Sequence, residues 1–324
     1  MKRIKRVLGL ALATVMCMSL FSGCSGTSGS NDTADSTSGT ETSEKVLNIA
    51  TIGETTTLSP LYMIADNRPT QKLLYEGLVK YVDGEIQPVL AEDWELSEDG
   101  TQLTFYLRQG VTFHDGEPFN AEAAIANIES WHINPSFASL PGVVNYTNIE
   151  AVDEYTIRLT YDTPYFAYIN DFCWPDVCTM ISPKLITQGD FQTVNGYAGT
   201  GPYIYDEYVA GQYTTFVRNE NYWGEQPYYD KIVAKYIPDN ASRVQALQTG
   251  EIDLIYGSAE LSYEDYNQAI AIEGVEGEFA PSGSTVRNII LNFNGNLSDL
   301  SVRQALAYAI DKEAISEGLT YGYE

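Results

Sequence analysis

The side chains best suited to acid–base or metal chemistry are the two histidines, His114 and His132, in a chain of 324 residues with 44 acidic side chains. Neither histidine stands in an obvious Ser/Asp arrangement, and the sequence has no Gly-x-Ser-x-Gly elbow, which argues against a serine hydrolase. The abundant carboxylates leave open a glycosidase that uses a carboxylate pair. His132, beside Trp131, is a candidate for the wall of a ligand cleft.

The cysteines offer redox or metal chemistry. Of the four Cys, Cys17 and Cys24 lie near the amino terminus, and Cys173 and Cys178 lie five residues apart. A local disulfide between Cys173 and Cys178 suits an extracytoplasmic protein, and so do two buried free thiols. The sequence has no second Cys pair and no nearby His, which disfavours zinc. We expect no metal site and no cofactor.

The amino-terminal residues have the parts of an export signal. Four basic residues within positions 2–6 precede an apolar run at 7–21, and small residues directly precede Cys24. The run is shorter than the roughly 18 apolar residues that favour a transmembrane helix. A small residue followed by Cys resembles the lipobox of bacterial lipoproteins, although Phe21 stands where Leu is usual. This resemblance implies a signal peptide at 1–23 and lipidation of Cys24.

Residues 25–44 consist mainly of Ser, Thr, Gly, Asp and Glu. Such a segment has little to bury and is predicted to be a flexible tether. We therefore assign residues 24–45 to the lipidated Cys and its disordered tether. The protein is expected outside the cytoplasm, anchored to the outer face of the cell membrane by Cys24, with no other contact to the membrane.

The charge of the chain excludes one class of partner. The sequence has 18 Lys and Arg against 44 Asp and Glu, a formal net charge of −26. A nucleic-acid binder needs a basic surface that neutralises phosphates, and this sequence has none. We expect no nucleic-acid partner.

Hydrophobic patterns from residue 46 onward predict strands that alternate with helices. The predicted strands are 46–52, 103–107, 155–161 and 252–256. The predicted helices are 69–78, 121–131 with Asn120 as the N-cap, and 241–249 with Asn240 as the N-cap and Gly250 at the end. This alternation predicts an α/β fold with parallel pairing in at least one sheet.

Six blocks of sequence occur in the same order as in family 5 of the bacterial extracellular solute-binding proteins, and the chain resembles this family from about residue 46 to 319. The first block has three parts, Leu90–Trp94, Ser97–Gly100 and Phe105–Arg108. The others are Phe113–Phe119, Gly199–Tyr203, Arg218–Gly224, Arg243–Leu247 with Gly250–Asp253, and Val302–Asp311.

This resemblance implies a two-lobed fold like that of type II periplasmic binding proteins, with an extra subdomain and a hinge that closes the lobes over a ligand. It assigns residues 46–285 to the first lobe, with 46–80 and 200–285 as its core and 81–199 as the extra subdomain. Residues 286–324 are expected to form a hinge strand and the start of the second lobe. Family members are usually longer, so we expect the second lobe to be truncated here.

The resemblance also indicates where a ligand binds, in irregular segments between blocks that are mainly scaffold. The loop 58–62 matches a region that lines the pocket in relatives, and Tyr62 is the first candidate because an aromatic ring with a polar tip suits varied ligands. His114 lies in a family block and is predicted to be scaffold. The candidate ligand-binding residues are Leu61, Tyr62, Arg68, Trp131, His132 and Trp174.

The family includes binders of oligopeptides, dipeptides and nickel chelates. Stretches 116–124 and 252–257 resemble the nickel branch, but that branch holds the chelate carboxylate with Arg in segments that match 127–140 and 172–180. This sequence has no Arg in either segment.

The expected function is therefore that of a monomeric, non-enzymatic binding lipoprotein of an ABC importer. It captures oligopeptides or dipeptides and delivers them to the permease and its ATPase. The alternative is a nickel-chelate binding subunit, followed by a peptide-signal sensor and an exported hydrolase.

Overall fold

The computed structural model describes residues 44–62, 68–174, 177–186, 196–256, 261–278 and 289–323, all within one unit, Ser43–Glu324. The strands are β1 (Val46–Thr51), β2 (Val79–Val82), β3 (Glu85–Pro88), β4 (Ala91–Leu96), β5 (Gln102–Leu107), β6 (Tyr146–Asp153), β7 (Thr156–Tyr161), β8 (Tyr203–Val209), β9 (Tyr213–Arg218), β10 (Lys231–Tyr236) and β11 (Leu254–Ile255). The α-helices are α1 (Arg68–Leu74), α2 (Ala121–His132), α3 (Pro141–Val144), α4 (Tyr168–Phe172), α5 (Asn240–Gln248), α6 (Tyr263–Ile270), α7 (Leu300–Ala309) and α8 (Lys312–Thr320).

A five-stranded sheet has the strand order β11-β1-β10-β9-β8. β1 runs parallel to both β10 and β11, and β8, β9 and β10 form antiparallel pairs. One apolar cluster, which we call the first core, contains Ile49 of β1, Phe216 of β9 and Ile232 of β10. The predicted α/β class and the predicted parallel pairing are therefore confirmed.

A second sheet has four antiparallel strands in the order β4-β5-β7-β6. Alternate residues of β5 and β7 point to one face, and helix α2 contributes Ile128 and Trp131 to the same apolar cluster, which we call the second core. The opposite face is largely polar, as is usual for an antiparallel sheet with one solvated face. A separate hairpin joins β2 to β3.

Helix α2 begins as the sequence predicts, because the Asn120 side chain accepts a hydrogen bond from the Ala123 amide at 3.0 Å. Helix α5 begins one residue earlier than predicted. Its N-cap is Asp239, whose carboxylate accepts from the Ser242 amide at 2.8 Å. Asn240 is instead the first helical residue, and its side chain bonds to Asp265 and Arg243. The predicted cap at Asn240 was therefore wrong.

Two predicted elements are shorter than expected. The helix predicted over 69–78 ends at Leu74, because the Leu74 carbonyl accepts from the Gly201 amide at 2.9 Å and the chain turns toward β2. The strand predicted over 252–256 is limited to β11. Just before it, Asp253 bonds to Asn48 in two ways: its amide donates to the Asn48 carbonyl at 2.8 Å, and its carboxylate accepts from the Asn48 amide at 2.8 Å.

The last described segment, 289–323, carries helices α7 and α8. Several of its large apolar side chains face solvent, including Ile290 at 93%, Tyr308 at 90% and Leu319 at 71% exposure. The Tyr323 ring stacks on Tyr263 of α6 with 5.5 Å between centroids. No helix in the described part of the chain is long and apolar enough to span a bilayer.

Candidate functional site

Parallel pairing brings several strand ends to one edge of the five-stranded sheet. Thr51 at the end of β1 pairs with Tyr236 at the end of β10, and β11 ends beside β1. The β8–β9 turn reaches the same edge, because Tyr213 at the start of β9 lies opposite Lys235. Open α/β sheets bind ligands outside the carboxyl ends of their parallel strands. We take this carboxyl edge as the candidate site.

Past the end of β1, the chain forms a turn at Ser59–Tyr62, which we call the junction turn. The amide of its last residue donates to the carbonyl of its first over 3.3 Å, and Pro60 occupies the second position, where its fixed φ favours a turn. Leu58 packs in the first core, whereas Leu61 packs in the second core. The junction turn therefore lies where the two cores meet.

Two buried amides hold the junction turn. The Gln71 side chain of α1 donates to the Ser59 carbonyl at 2.8 Å, and the Asn134 side chain donates to the Leu61 carbonyl at 2.9 Å. Gln71 and Asn134 are both at least nine-tenths buried. Sequence reasoning missed both residues, and the only signal was a polar residue within or next to an apolar helical pattern.

The structure separates the residues predicted to contact a ligand. Tyr62 is half-buried at the end of the junction turn, but Leu61 and Trp131 are fully buried. The Trp131 ring stacks on Phe137, with 5.8 Å between centroids and 6° between planes. Trp131 follows Ile128 at helical spacing and so belongs to the inner face of α2. The structure thus places Trp131 in the second core, not on a cleft wall.

His132 and Trp174 lie at the surface in different surroundings. His132, the last residue of α2, is exposed, and its ring centroid lies 4.7 Å from that of Tyr146 on β6. Trp174 is 43% exposed and borders a shallow hollow with Tyr81 and Asn170. The hollow therefore offers two aromatic surfaces next to a polar amide.

Arg68 is the first residue of α1, but its side chain lies outside the described residues, as does all of Cys24. Cys173 and Cys178 are buried free thiols that donate to main-chain oxygens of α4. Burial raises the pKa of Cys173 to about 11 and also raises the pKa of Cys178. Of the two alternatives left open by the sequence, the structure has the free thiols. Among the described residues, no cluster of His, Cys, Asp and Glu could hold a metal ion.

Glu54 places a carboxylate at the carboxyl edge. Its Oε1 accepts from the Tyr208 hydroxyl at 2.6 Å and from the Gly211 amide at 2.5 Å, which ties the loop after β1 to the β8–β9 turn. These hydrogen bonds lower the pKa of Glu54, and the hydrogen bond to Glu54 is the main cause that raises the pKa of Tyr208 to about 12. A carboxylate kept ionised here suits a ligand with an ammonium group.

Glu76 connects two of the family blocks. Its carboxylate accepts from the Tyr222 hydroxyl at 2.7 Å, the Trp223 indole at 2.7 Å and the Thr200 hydroxyl at 2.9 Å. Burial raises the pKa of Glu76, although these donors act against that shift. The Arg108 guanidinium lies over the Trp223 ring at 4.4 Å. These contacts are internal to the fold, so the blocks act here as scaffold.

His114 also has a scaffold role, as predicted. Its Nδ1 accepts from the Gly199 amide at 3.3 Å, and its Nε2 lies 2.9 Å from the Gly201 carbonyl. With Nδ1 as the acceptor, Nε2 carries the proton and donates, so the neutral imidazole fits both partners. Burial lowers the pKa of His114.

Comparison with known proteins gives matches over most of the chain. Residues 85–324 match the family model described as "Bacterial extracellular solute-binding proteins, family 5 Middle". The chain is 34% identical over 274 residues to the nickel-binding periplasmic protein of Escherichia coli (strain K12), covering 82% of this chain and 51% of that protein. It is 32% identical over 289 residues to the glutathione-binding protein GsiB of Pectobacterium atrosepticum, covering 85% and 54%.

The solved structure of NikA from Brucella suis in complex with Fe(III)-EDTA has a TM-score of 0.78 and 33% identity, and the match covers 86% of this chain and 57% of that one. The chain thus spans about half the length of the curated relatives it matches. Those relatives are named as binding proteins, and the periplasmic-binding-protein fold predicted from the sequence is confirmed. The chain belongs to family 5 of the bacterial extracellular solute-binding proteins.

Proposed function

We propose that the protein is the lipid-anchored substrate-binding subunit of an ABC importer, which captures oligopeptides or dipeptides outside the membrane and delivers them to the permease and its ATPase. The observation that carries the proposal is the junction turn. It leaves Tyr62 half-buried in the segment that follows β1, between Leu58 of the first core and the second core that holds Leu61, and this supports Tyr62 as a ligand contact.

Glu54 supports a ligand that has an amino group. Its carboxylate lies at the carboxyl edge, and its pKa is lowered, so it is ionised at neutral pH. The hydrogen bonds from Tyr208 and Gly211 both end on Oε1 of this carboxylate. Oε2 is then the natural acceptor for the ammonium group of a peptide.

The distribution of arginines favours a peptide over a carboxylate-rich chelate. Segments 127–140 and 172–180 contain no Arg. Arg108, Arg158 and Arg218 each pair with a glutamate or aspartate of the fold. A chelate with several carboxylates would need guanidinium partners for strong charge-assisted hydrogen bonds.

Sequence similarity favours a second candidate, a nickel chelate. The Escherichia coli relative at 34% identity is a nickel-binding protein, and the Brucella suis structure at 33% identity holds Fe(III)-EDTA. The Pectobacterium relative at 32% identity binds glutathione, which is itself a small peptide. The chain has similar sequence identity to proteins that bind different ligands. Sequence identity alone therefore does not identify the ligand of this chain.

The proposed mechanism is a population shift between open and closed lobes. A ligand that contacts both walls favours closure by its differential affinity for the closed state. Affinity then comes from many modest contacts and from water that leaves the cleft.

Isothermal titration calorimetry on the full chain tests the proposal, with a mixed peptide library in one arm and Ni²⁺ plus free histidine in the other. We expect saturable heat from the peptides and little from the chelate. Tight chelate binding with no heat from any peptide would establish the nickel alternative. Heat from neither arm would contradict both assignments.

A further inference from the structure

We infer that Gln71 and Asn134 are positioning residues for ligand binding, and that the second core sets the conformation of the junction turn through Asn134. The inference rests on the proposed function, because it concerns how the same site is held. It also gives the second core a role in ligand binding, although no residue of that core has to contact the ligand.

The junction turn is held from two sides by the same kind of group. Gln71, which lies three residues before Leu74 of the first core, donates to the Ser59 carbonyl. Asn134, which follows Trp131 of the second core, donates to the Leu61 carbonyl. The junction turn is therefore held in two ways. Leu58 and Leu61 pack in the two cores, and one buried side-chain amide beside each core donates to the turn.

These hydrogen bonds matter because the turn has no strand partner. Ser59 and Leu61 are both fully buried, so their carbonyl oxygens depend on partners inside the protein, which for Ser59 are the Tyr62 amide as well as the Gln71 side chain. Loss of a buried partner costs about 1–3 kcal/mol and leaves the backbone free to rearrange. Tyr62 directly follows Leu61, so movement of the Leu61 carbonyl also moves the aromatic side chain.

The two polar atoms of the Asn134 side chain have different partners, so a substitution can remove its donor and keep its acceptor. Its Oδ1 accepts from the Ser136 amide at 3.0 Å and caps the short helix Pro135–Phe137, while its Nδ2 donates to the turn. The substitution Asn134→Asp keeps the acceptor and removes the donor. The substitution Gln71→Glu does the same from the other side of the turn.

Asn127 provides a matched control. It lies on α2, is fully buried, and donates through Nδ2 to the carbonyls of Ala123 and Ile181 at 2.9 Å. Asn127→Asp therefore makes the same chemical change in the same core without touching the junction turn. Because Asn127 donates to two buried carbonyls, we expect this variant to destabilise the fold at least as much as Asn134→Asp does.

The test compares the full chain and its three variants by two measurements. The first is hydrogen exchange of the Leu61 and Tyr62 amides without ligand. The second is calorimetric binding of trialanine and of Ni²⁺ with free histidine, at a temperature equally far below each Tm. We expect exchange protection at these amides, and the affinity for whichever probe binds, to fall about tenfold in Asn134→Asp and Gln71→Glu but not in Asn127→Asp.

A rescue experiment separates positioning from general damage. When the carboxyl of Asn134→Asp is protonated, its O–H can donate to the Leu61 carbonyl, so protection relative to the wild-type chain should recover from pH 8 to pH 5. Equal protection and affinity across all three variants would overturn the inference. A wild-type chain that binds neither probe would contradict the proposed function, while the exchange data would still decide whether the amides hold the turn.

Discussion

At the scale of single residues, two partly buried acceptors, Glu76 and His114, hold the family blocks together at corners of the fold. Glu76 accepts from three side chains, and His114 accepts from a glycine amide. Each corner joins segments that are far apart in the sequence, so one acceptor organises several loops.

Replacement of Glu76 tests this corner. Glu76→Ala leaves the Thr200, Tyr222 and Trp223 donors without their acceptor, and we expect it to lower the free energy of unfolding by about 3 kcal/mol. Glu76→Gln should cost about half as much, because the Tyr222 hydroxyl can accept from the new amide while the carbonyl keeps the other donors. Urea unfolding measures both values, and a cost below about 1 kcal/mol for Glu76→Ala would contradict the role of the corner.

Because burial lowers the pKa of His114, we expect the free energy of unfolding to depend on pH. Burial holds its folded pKa below the ordinary value of 6.5, so the unfolded chain binds a proton first as the pH falls. The contribution of His114 to stability is therefore present above pH 6.5 and is lost as the pH falls through the lowered folded pKa.

The His114→Gln variant isolates this effect, since other titrating groups cancel in the difference from the wild-type chain. We expect the difference in unfolding free energy to shrink from pH 7.5 to pH 5. A constant difference would mean that His114 does not titrate differently in the folded state. Glu76 has the opposite sign, because its raised pKa makes its contribution decline as the pH rises above 4.5.

The sequence predicts residue roles well only where the cause is local. Asn120 as an N-cap follows from neighbours within one helical turn, and the structure has it. Trp131 looked like a cleft residue beside His132, but its face on α2 is set by packing against distant strands. Glu54 was missed because its partner Tyr208 lies 154 residues away.

At the scale of elements, helix and strand ends depend on contacts from other segments. Helix α1 ends at Leu74 because the 199–201 turn takes the Leu74 carbonyl, and no signal near residue 74 shows this. Next to β11, Asp253 pairs with Asn48 through both its amide and its carboxylate, and the two residues are 205 positions apart in the sequence. The α/β class is nonetheless predictable, because it depends on the alternation of elements and not on their exact limits.

Gly199 provides the sharpest test of the contact that ends α1. A Cβ at this position would lie 2.0 Å from the Leu74 carbonyl oxygen, so the backbone must shift to fit Ala. We expect Gly199→Ala to lower the free energy of unfolding by about 3 kcal/mol or more. In Gly110→Ala the new Cβ meets open space, but φ is +76°, so a cost of about 1 kcal/mol is expected. Equal costs in denaturant unfolding would show that the close approach is relaxed in solution.

At the scale of the whole molecule, the two cores differ in how the chain builds them. The first core joins β1 to strands more than 150 residues later, whereas the second core forms largely within residues 78–180. The junction turn links the two cores, because Leu58 just before it packs in the first core and Leu61 within it packs in the second core. The exposed apolar side chains of segment 289–323 add a further surface that neither core covers.

The formal net charge of −26 gives a prediction for the molecule as a whole. At low ionic strength the acidic side chains repel one another over about 30 Å, and at physiological salt the screening length falls to about 8 Å. Repulsion favours the expanded unfolded chain. We therefore expect the Tm to rise by about 3 °C when NaCl is raised from about 10 to about 150 mM.

A charge-reduced variant provides the control for this salt effect. Glu273→Gln, Glu276→Gln and Glu278→Gln together remove three exposed acids without altering either core. This variant should have a higher Tm at low salt and a smaller increase on adding NaCl, as measured by differential scanning calorimetry. A Tm that falls with salt would show that attractive ion pairs, such as Arg218 with Asp230, outweigh the repulsion. The charge of the whole chain would then matter less to its stability than the placement of a few residues.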